Sequence, residues 1–260
     1  MNILEQIIAY KKIEVAERKH LVSEALLMQT EYFNRTCFSL IENFSNSDTM
    51  GIIAEFKRKS PSKGFINEFA DVVEVTTGYT KAGAVCLSVL TDLHFFGGSK
   101  ADLVAARVNE IPILRKDFII DQYQIIEAKA MGADVILLIA ACLTKEEVKD
   151  LSAFAKGLGL EVLLELHNER ELNHICDDTI LIGINNRNLK DFRVDINASL
   201  NMAKKIPAGK IKIAESGISD ANMIKTFKEA GFQGFLIGET FMKESNPAVA
   251  FDTFAKNIDV

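Results

Sequence analysis

The 260 residues carry 30 Lys and Arg against 36 Asp and Glu, a net charge of −6, with 48% hydrophobic residues and only four prolines. That composition excludes a disordered chain, and the length suits two small domains or one barrel of roughly 250 residues. The acidic balance argues against nucleic acid as the main partner. It leaves room for a small anionic substrate, because a few lysines in a cleft outweigh a mildly acidic exterior. The opening segment MNILEQIIAYKKIEVAERKH lacks the apolar centre and cleavage site of a signal peptide. The longest apolar run, Val135 to Leu143, is too short to span a membrane, so a cytoplasmic protein is expected. Cys37, Cys86, Cys142 and Cys176 form no CxxC pair, and neither metal nor disulfide is expected. Cys86 and Cys142 read as buried thiols.

Along the chain, the segment up to about Ser47 reads as a helical extension. Ile3, Leu4, Ile7 and Ile8 form an apolar stripe, followed by Lys11, Lys12, Glu14 and Glu17 as solvated charges. A second helical stretch is predicted through Ser39, Leu40 and Phe44, before the polar break SNSDTMG. From Gly51 to the end, eight short β-branched-rich runs alternate with amphipathic stretches: GIIAEF, AVCLSVL, IPILR, DVILLI, EVLLEL, ILIGIN, KIKIAE and GFLIGE. Gly83, Gly132, Gly159 and Gly231 stand where helix turns to strand, the expected C-cap. No Pro/Gly/Ser-rich linker divides the chain. Eight buried parallel strands fit one α/β domain, a (β/α)₈ TIM barrel over residues 51–260 with a helical extension over 1–47. A doubly wound open sheet is the alternative.

In such a barrel the active site lies at the C-terminal strand ends. Those ends carry Glu55, Lys57, Thr91, Asp92, Arg115, Lys116, Asp117, Glu165, Asn185, Arg187, Glu215, Ser216 and Glu239. Strand alternation lets Glu55 and Lys57 point inward together while Phe56 packs outward. By the same parity Asn185 pairs with Arg187, Lys116 follows Leu114, and Glu165 follows Leu163. A buried structural ion network would explain any one of these, but explains the whole set poorly. The turns Glu215-Ser216-Gly217-Ile218 and Gly238-Glu239-Thr240 close runs seven and eight, where barrels bind phosphate through backbone N–H groups.

At these residues the chain resembles the indole-3-glycerol phosphate synthase family. The likeness rests on Ala54-Glu-Phe-Lys-Arg-Lys-Ser-Pro-Ser-Lys-Gly64, Ser88-Val-Leu-Thr-Asp92 with Phe95-Phe96, and Leu114-Arg-Lys-Asp-Phe118. It continues through Leu164-Glu-Leu-His167, Gly183-Ile-Asn-Asn-Arg-Asn-Leu189, Ala214-Glu-Ser-Gly-Ile218 and Leu236-Ile-Gly-Glu239. The resemblance implies a carboxy-lyase of tryptophan biosynthesis that converts 1-(2-carboxyphenylamino)-1-deoxyribulose 5-phosphate to indole-3-glycerol phosphate, carbon dioxide and water. It implies no cofactor and no metal. Carried over by motif, the catalytic set is Glu55, Lys57, Lys116, Glu165, Asn185, Arg187 and Glu215. Ser60, Phe118 and Ser216 would bind substrate; Lys57, Ser216, Gly217, Gly238, Glu239 and Thr240 would bind its phosphate. Two positions depart from the family pattern: Gly97, where Gln usually follows the Phe pair, and Thr240, where Ser is common.

Ring closure protonates a ketone oxygen, so an ammonium is the natural acid. Lys116 is the leading candidate and Lys57 the second, with their division of labour left open. Glu165 is the candidate base for the proton lost as the indole becomes aromatic, and Glu55 would hold the lysines charged. Arg187 and Asn185 would fix the carboxylate or hydroxyls, Phe118 would pack on the aromatic ring, and Phe95 and Phe96 would be wall or lid. His167 reads as a hydrogen-bonded structural residue, and His20, His94 and His174 as surface residues. Ser60 to Gly64 reads as a mobile loop over the site. A monomer is expected, with a homodimer the alternative. An isomerase such as phosphoribosylanthranilate isomerase is the rival enzyme; it typically needs a Cys or Asp acid–base pair at strand ends, whereas no run here ends in Cys and two lysines and a glutamate stand there. A non-catalytic binding barrel is the rival outside catalysis, and it predicts a degraded strand-end set.

Overall fold

The eight β-branched-rich runs become eight parallel strands in the computed structural model, which describes residues 3–45, 49–188 and 193–258. They are β1 Ile52–Phe56, β2 Cys86–Leu90, β3 Ile113–Lys116, β4 Val135–Ile139, β5 Glu161–Leu166, β6 Leu181–Asn185, β7 Ile211–Glu215 and β8 Gly234–Ile237. Each pairs with its neighbours in sequence, and β1 closes the barrel onto β8 with Ile52 opposite Phe235. Asn46 to Asp48 of the polar break, Ser47 at the end of the extension, and Leu189 of the sixth motif lie outside the described residues. The four C-cap glycines all adopt left-handed φ, from 74° at Gly159 to 95° at Gly83.

Alternation sorts the core into two layers. Ile53, Cys86, Leu114, Leu137, Leu163, Ile213 and Leu236 meet inside the barrel. Ile52, Ala54, Phe56, Leu87, Val89 and Ile184 face outward under the surrounding helices. The barrel is therefore filled by side chains in its lower half, and only its C-terminal end is free to build a site.

The N-terminal extension closes both ends. Three helices form it: α1 Ile3–Leu21, α2 Glu24–Leu27 and α3 Leu40–Phe44. Ser39 caps α3, and Glu161 at the start of β5 accepts from the Leu40 and Ile41 N–H groups at 2.9 and 3.1 Å. Leu40, fully buried, then plugs the bottom of the inner layer. At the other end, Ile3, Leu4 and Ile7 of α1 overhang the strand ends. Among the described residues no helix is long and apolar enough to cross a membrane.

Lys11 corrects the sequence reading. Lys12 and Glu17 are exposed as expected, but Lys11 is fully buried and Glu14 half-buried. Lys11 lies one turn beyond Ile7, so it continues the buried face of α1 through Ile7, Lys11 and Val15. Its ammonium is met there by Asp92 at 2.9 Å, Asp117 at 2.9 Å and Glu14 at 2.6 Å. Burial alone would lower its pKa; the facing carboxylates outweigh that and raise it. Arg115 extends the cluster outward, bonding Asp117 at 3.0 Å and Glu127 at 2.8 Å. Thr91, Asp92, Arg115 and Asp117 are thus a clamp between α1 and the β2 and β3 ends.

Lys11→Met should show the strength of that clamp. It leaves Asp92 and Asp117 buried without their shared cation, which costs about 3–5 kcal/mol when one member of a buried pair is removed. Urea unfolding should report a loss of that size. A loss under about 1 kcal/mol, the range of exposed pairs, would mean that Lys11 is solvated after all.

Candidate active site

The C-terminal ends of the strands surround a cavity of about 280 Å³. Its floor is made by inward residues of the inner layer, Leu137, Ile139 and Leu236. Above them Glu55 and Lys57 from β1, Lys116 from β3, Glu165 from β5, Asn185 and Arg187 from β6, and Glu215 from β7 all line the space. Parity brings this about: Glu55, Lys116, Glu165 and Glu215 follow the inner residues Ile53, Leu114, Leu163 and Ile213 by two, and Lys57 and Arg187 follow Glu55 and Asn185 by two.

Lys116 is the hub. Its Nζ lies 3.0 Å from Glu165 Oε2 and 2.8 Å from Glu215 Oε2. Asn185 Nδ2 donates to the other oxygen of Glu165 at 3.0 Å, while its own Oδ1 accepts from the Arg187 N–H at 3.0 Å. Lys57 pairs separately with Glu55 at 2.6 Å. Two glycines make room for this crowding. A Cβ at Gly183 would stand 2.0 Å from Glu215 Oε1, and one at Gly238 would stand 2.7 Å from Glu55 Oε1. Any side chain at either position would push a carboxylate out of place.

Glu165, Glu215 and Lys116, buried side by side, pull each other's ionisation apart. Burial would raise Glu165, but the Lys116 charge, the His167 ring 3.0 Å away and a hydrogen bond from Asn185 hold it well below the usual carboxylate range. Burial pushes Glu215 up to about 7; Lys116 opposes this, and repulsion from Glu165 and Glu55 adds to it. Burial would lower Lys116, yet Glu165, Glu215 and Glu55 together raise it. The arrangement is a charged acid, an ionised base, and a second carboxyl that holds a proton more readily than an ordinary glutamate.

The turns after β7 and β8 form the other wall. Ser216, Gly217, Ile218 and Ser219 lie beside Gly238, Glu239 and Thr240 along it. Ser216 holds φ at 67°, a left-handed conformation unusual for a residue with a side chain, and Gly217 continues it at 73°. Such successive turns present backbone N–H groups to one side. The short helix Glu239–Met242 starts at Gly238, and its first N–H groups have no partner within the helix. Thr240 adds no hydroxyl proton, because its Oγ1 donates to Ile218 O at 2.6 Å. The carboxylate of Glu239 points elsewhere, to Lys63 at 2.5 Å and Arg187 at 3.4 Å.

Other expectations fare unevenly. Ser60 to Gly64 forms a short hairpin, with Lys59–Ser60 paired to Gly64–Phe65. Ser60 is buried and lines the cavity. Phe118 and Phe96 also line it, their rings tilted at 5.9 Å, whereas Phe95 packs against Tyr10 and His94. His20 and His94 are exposed, but His174 is partly buried between the carbonyls of Glu171 and Leu143. The α1 residues Ile3, Leu4 and Ile7, together with Lys243, belong to the lining without having been singled out. The α1 stripe was a signal for them; a lone lysine at the end of a four-residue helix was none.

A closed parallel barrel with ionisable groups gathered at its C-terminal strand ends defines a (β/α)₈-barrel enzyme. Solved structures share this fold at low identity. The chain matches 3-hexulose-6-phosphate synthase from Salmonella typhimurium with a TM-score of 0.63 and 12% identity, over 80% of this chain and 98% of that one. It matches tryptophan synthase subunit alpha from Legionella pneumophila with a TM-score of 0.60 and 15% identity, over 84% and 94%. At the level of sequence, residues 4–254 match the family model described as indole-3-glycerol phosphate synthase. The enzyme of that name from Bacteroides thetaiotaomicron is 47% identical over 258 residues, 99% of each chain. That from Bordetella pertussis is 44% identical over 253 residues, 95% of this chain and 97% of its own. The chain belongs to the indole-3-glycerol phosphate synthase family.

Proposed function

We propose that the protein is a cytoplasmic, monomeric lyase that closes, decarboxylates and dehydrates 1-(2-carboxyphenylamino)-1-deoxyribulose 5-phosphate to indole-3-glycerol phosphate. The observation that carries this reading is Lys116 Nζ held between Glu165 and Glu215 over an apolar floor. Such a site offers an acid and a base within one residue's reach, and little else that could react.

The steps follow from where the protons must go. The ring carbon bearing the carboxylate attacks the ketone carbon, and an ammonium, Lys116, protonates the ketone oxygen as it becomes a hydroxyl. Carbon dioxide leaves and the electron pair of its bond restores the benzene ring. The new hydroxyl then departs as water with a proton from the second ammonium, Lys57. Glu165 takes a proton from the methylene beside nitrogen, which completes the indole. Glu165 is a feeble base while Lys116 is charged. Once Lys116 has given up its proton, that suppression ends and Glu165 can do its work. The acid step thereby prepares the base step.

The rest of the site positions the substrate. The turns at Ser216–Gly217 and Gly238–Thr240, with Lys57 beside them, suit a phosphate through backbone N–H groups. Phe118 and Phe96, under Ile3, Leu4 and Ile7, suit an aromatic ring at the opposite end. Arg187 can hold a carboxylate through its planar guanidinium, provided it leaves Glu239. The proposal is tested by supplying the purified protein with the substrate while following indole fluorescence and released carbon dioxide. One carbon dioxide per indole is expected; no product at any enzyme concentration would reject the proposal.

A further inference from the structure

The cationic side chains among the described residues of the cavity lining are Lys57, Lys116, Arg187 and Lys243. The first three already face carboxylates: Lys57 faces Glu55, Lys116 faces Glu165 and Glu215, and Arg187 faces Glu239. Lys243 differs. It is exposed, and its ammonium makes neither a hydrogen bond nor an ion pair among the described residues. It follows the short helix Glu239–Met242, four residues after Glu239 and three after Thr240. Thr240 is tied to the β7 turn through Ile218 O at 2.6 Å, so Lys243 stands beside both turns. Ser219, Thr240 and Lys243 line the cavity and also an open groove outside it, which puts Lys243 at the rim.

That position bears on the reading above, on which this inference rests. A phosphate monoester carries nearly two negative charges near neutral pH. The β7 and β8 turns offer it backbone N–H groups, but the wall they form also holds the carboxylate of Glu239. Glu239 is the (i, i+4) neighbour that ordinarily pairs with a lysine in the place of Lys243. It turns instead to Lys63 at 2.5 Å and Arg187 at 3.4 Å. Those two cations are therefore already engaged, and Lys57 is held by Glu55 at 2.6 Å. Lys243 is the cation beside the turns with no carboxylate to satisfy.

We propose that Lys243 is a specificity residue for the substrate's phosphate: its ammonium pairs with the phosphate at the cavity rim and favours the phosphorylated substrate over its unphosphorylated counterpart. A lysine suits the place, because a point charge with three donors on a flexible stem can follow a phosphate into the turns. The phosphate takes no part in bond making or breaking. Its contact with Lys243 is the same before and during the reaction, so it tightens binding and leaves the chemical steps unchanged.

The test is Lys243→Gln, which removes the charge and keeps a polar side chain, with Lys243→Arg as the second variant. In Lys243→Gln, KM for the substrate should rise about tenfold, between the effect of an exposed ion pair and that of a full charged hydrogen bond. Its kcat should stay within about twofold of wild type. Inorganic phosphate, titrated calorimetrically, should lose a similar factor in affinity, and Lys243→Arg should restore both quantities. The loss should shrink as potassium chloride is raised to about 1 M, where charges are screened within about 3 Å. A side chain that merely shapes the wall gives a loss that salt does not change. Unchanged KM or phosphate affinity in Lys243→Gln, a fall in kcat in place of the rise in KM, or a loss that persists at high salt would overturn the proposal. Absence of indole from the wild-type enzyme would reject the proposed reaction instead. The titration with inorganic phosphate needs no turnover and still decides whether Lys243 holds a phosphate.

Discussion

Lys116→Ala should lower kcat by about a thousandfold, in the middle of the 10²–10⁴ range for a positioned acid or base. Lys116 is the ammonium within hydrogen-bond distance of both Glu165 and Glu215, so the variant loses the acid and also the charge that sets the base. The fold should survive. Without the cation, burial and mutual repulsion raise both carboxyls, which take up protons rather than remain as unpaired buried charges. Circular dichroism should therefore match the wild type. If Lys116 serves ring closure, carbon dioxide and indole should fall together, because neither can form before the ring is closed. Near-normal turnover would remove Lys116 from the mechanism. Continued carbon dioxide release without indole would move it to the dehydration step.

Glu165→Gln separates the two halves of the reaction. The amide is nearly isosteric and can still accept from Asn185 Nδ2, which now lies 3.0 Å from the carboxylate. It cannot take the methylene proton. Ring closure and decarboxylation should continue, while dehydration slows by about a hundredfold or more. Carbon dioxide should then outrun indole, and a decarboxylated hydroxy intermediate should accumulate in rapid-quench samples. Equal yields of the two products at wild-type rate would exclude Glu165 as the base.

The barrel was legible because each strand is a short β-branched run buried on both faces, and the site because strand parity says which charges turn inward. Glu55, Lys57, Lys116, Glu165, Asn185 and Arg187 were found that way, and the structure brings them around one cavity. Lys11 was misread because a lysine after an apolar stripe looks solvated until its partners are known. Asp92 and Asp117 lie far along the chain, and only closure of the barrel brings them to α1. Gly183 and Gly238 also meet a need that no sequence pattern shows, space for Glu215 and Glu55 from neighbouring strands. Thr240 shows a third limit, since a hydroxyl of the right type is already spent on Ile218 O.

The central claim is that the cavity binds substrate in one direction, phosphate at the β7 and β8 turns and aromatic ring toward Lys116 and Glu165. A crystal structure with indole-3-glycerol phosphate bound tests this most directly. The account predicts phosphate oxygens against the backbone N–H groups of Gly217 and of Glu239 or Thr240. It places the indole between Phe118 and the Lys116–Glu165 pair, beneath Ile3 and Leu4. A product lying the other way round, or seated outside the ring of strand ends, would contradict it.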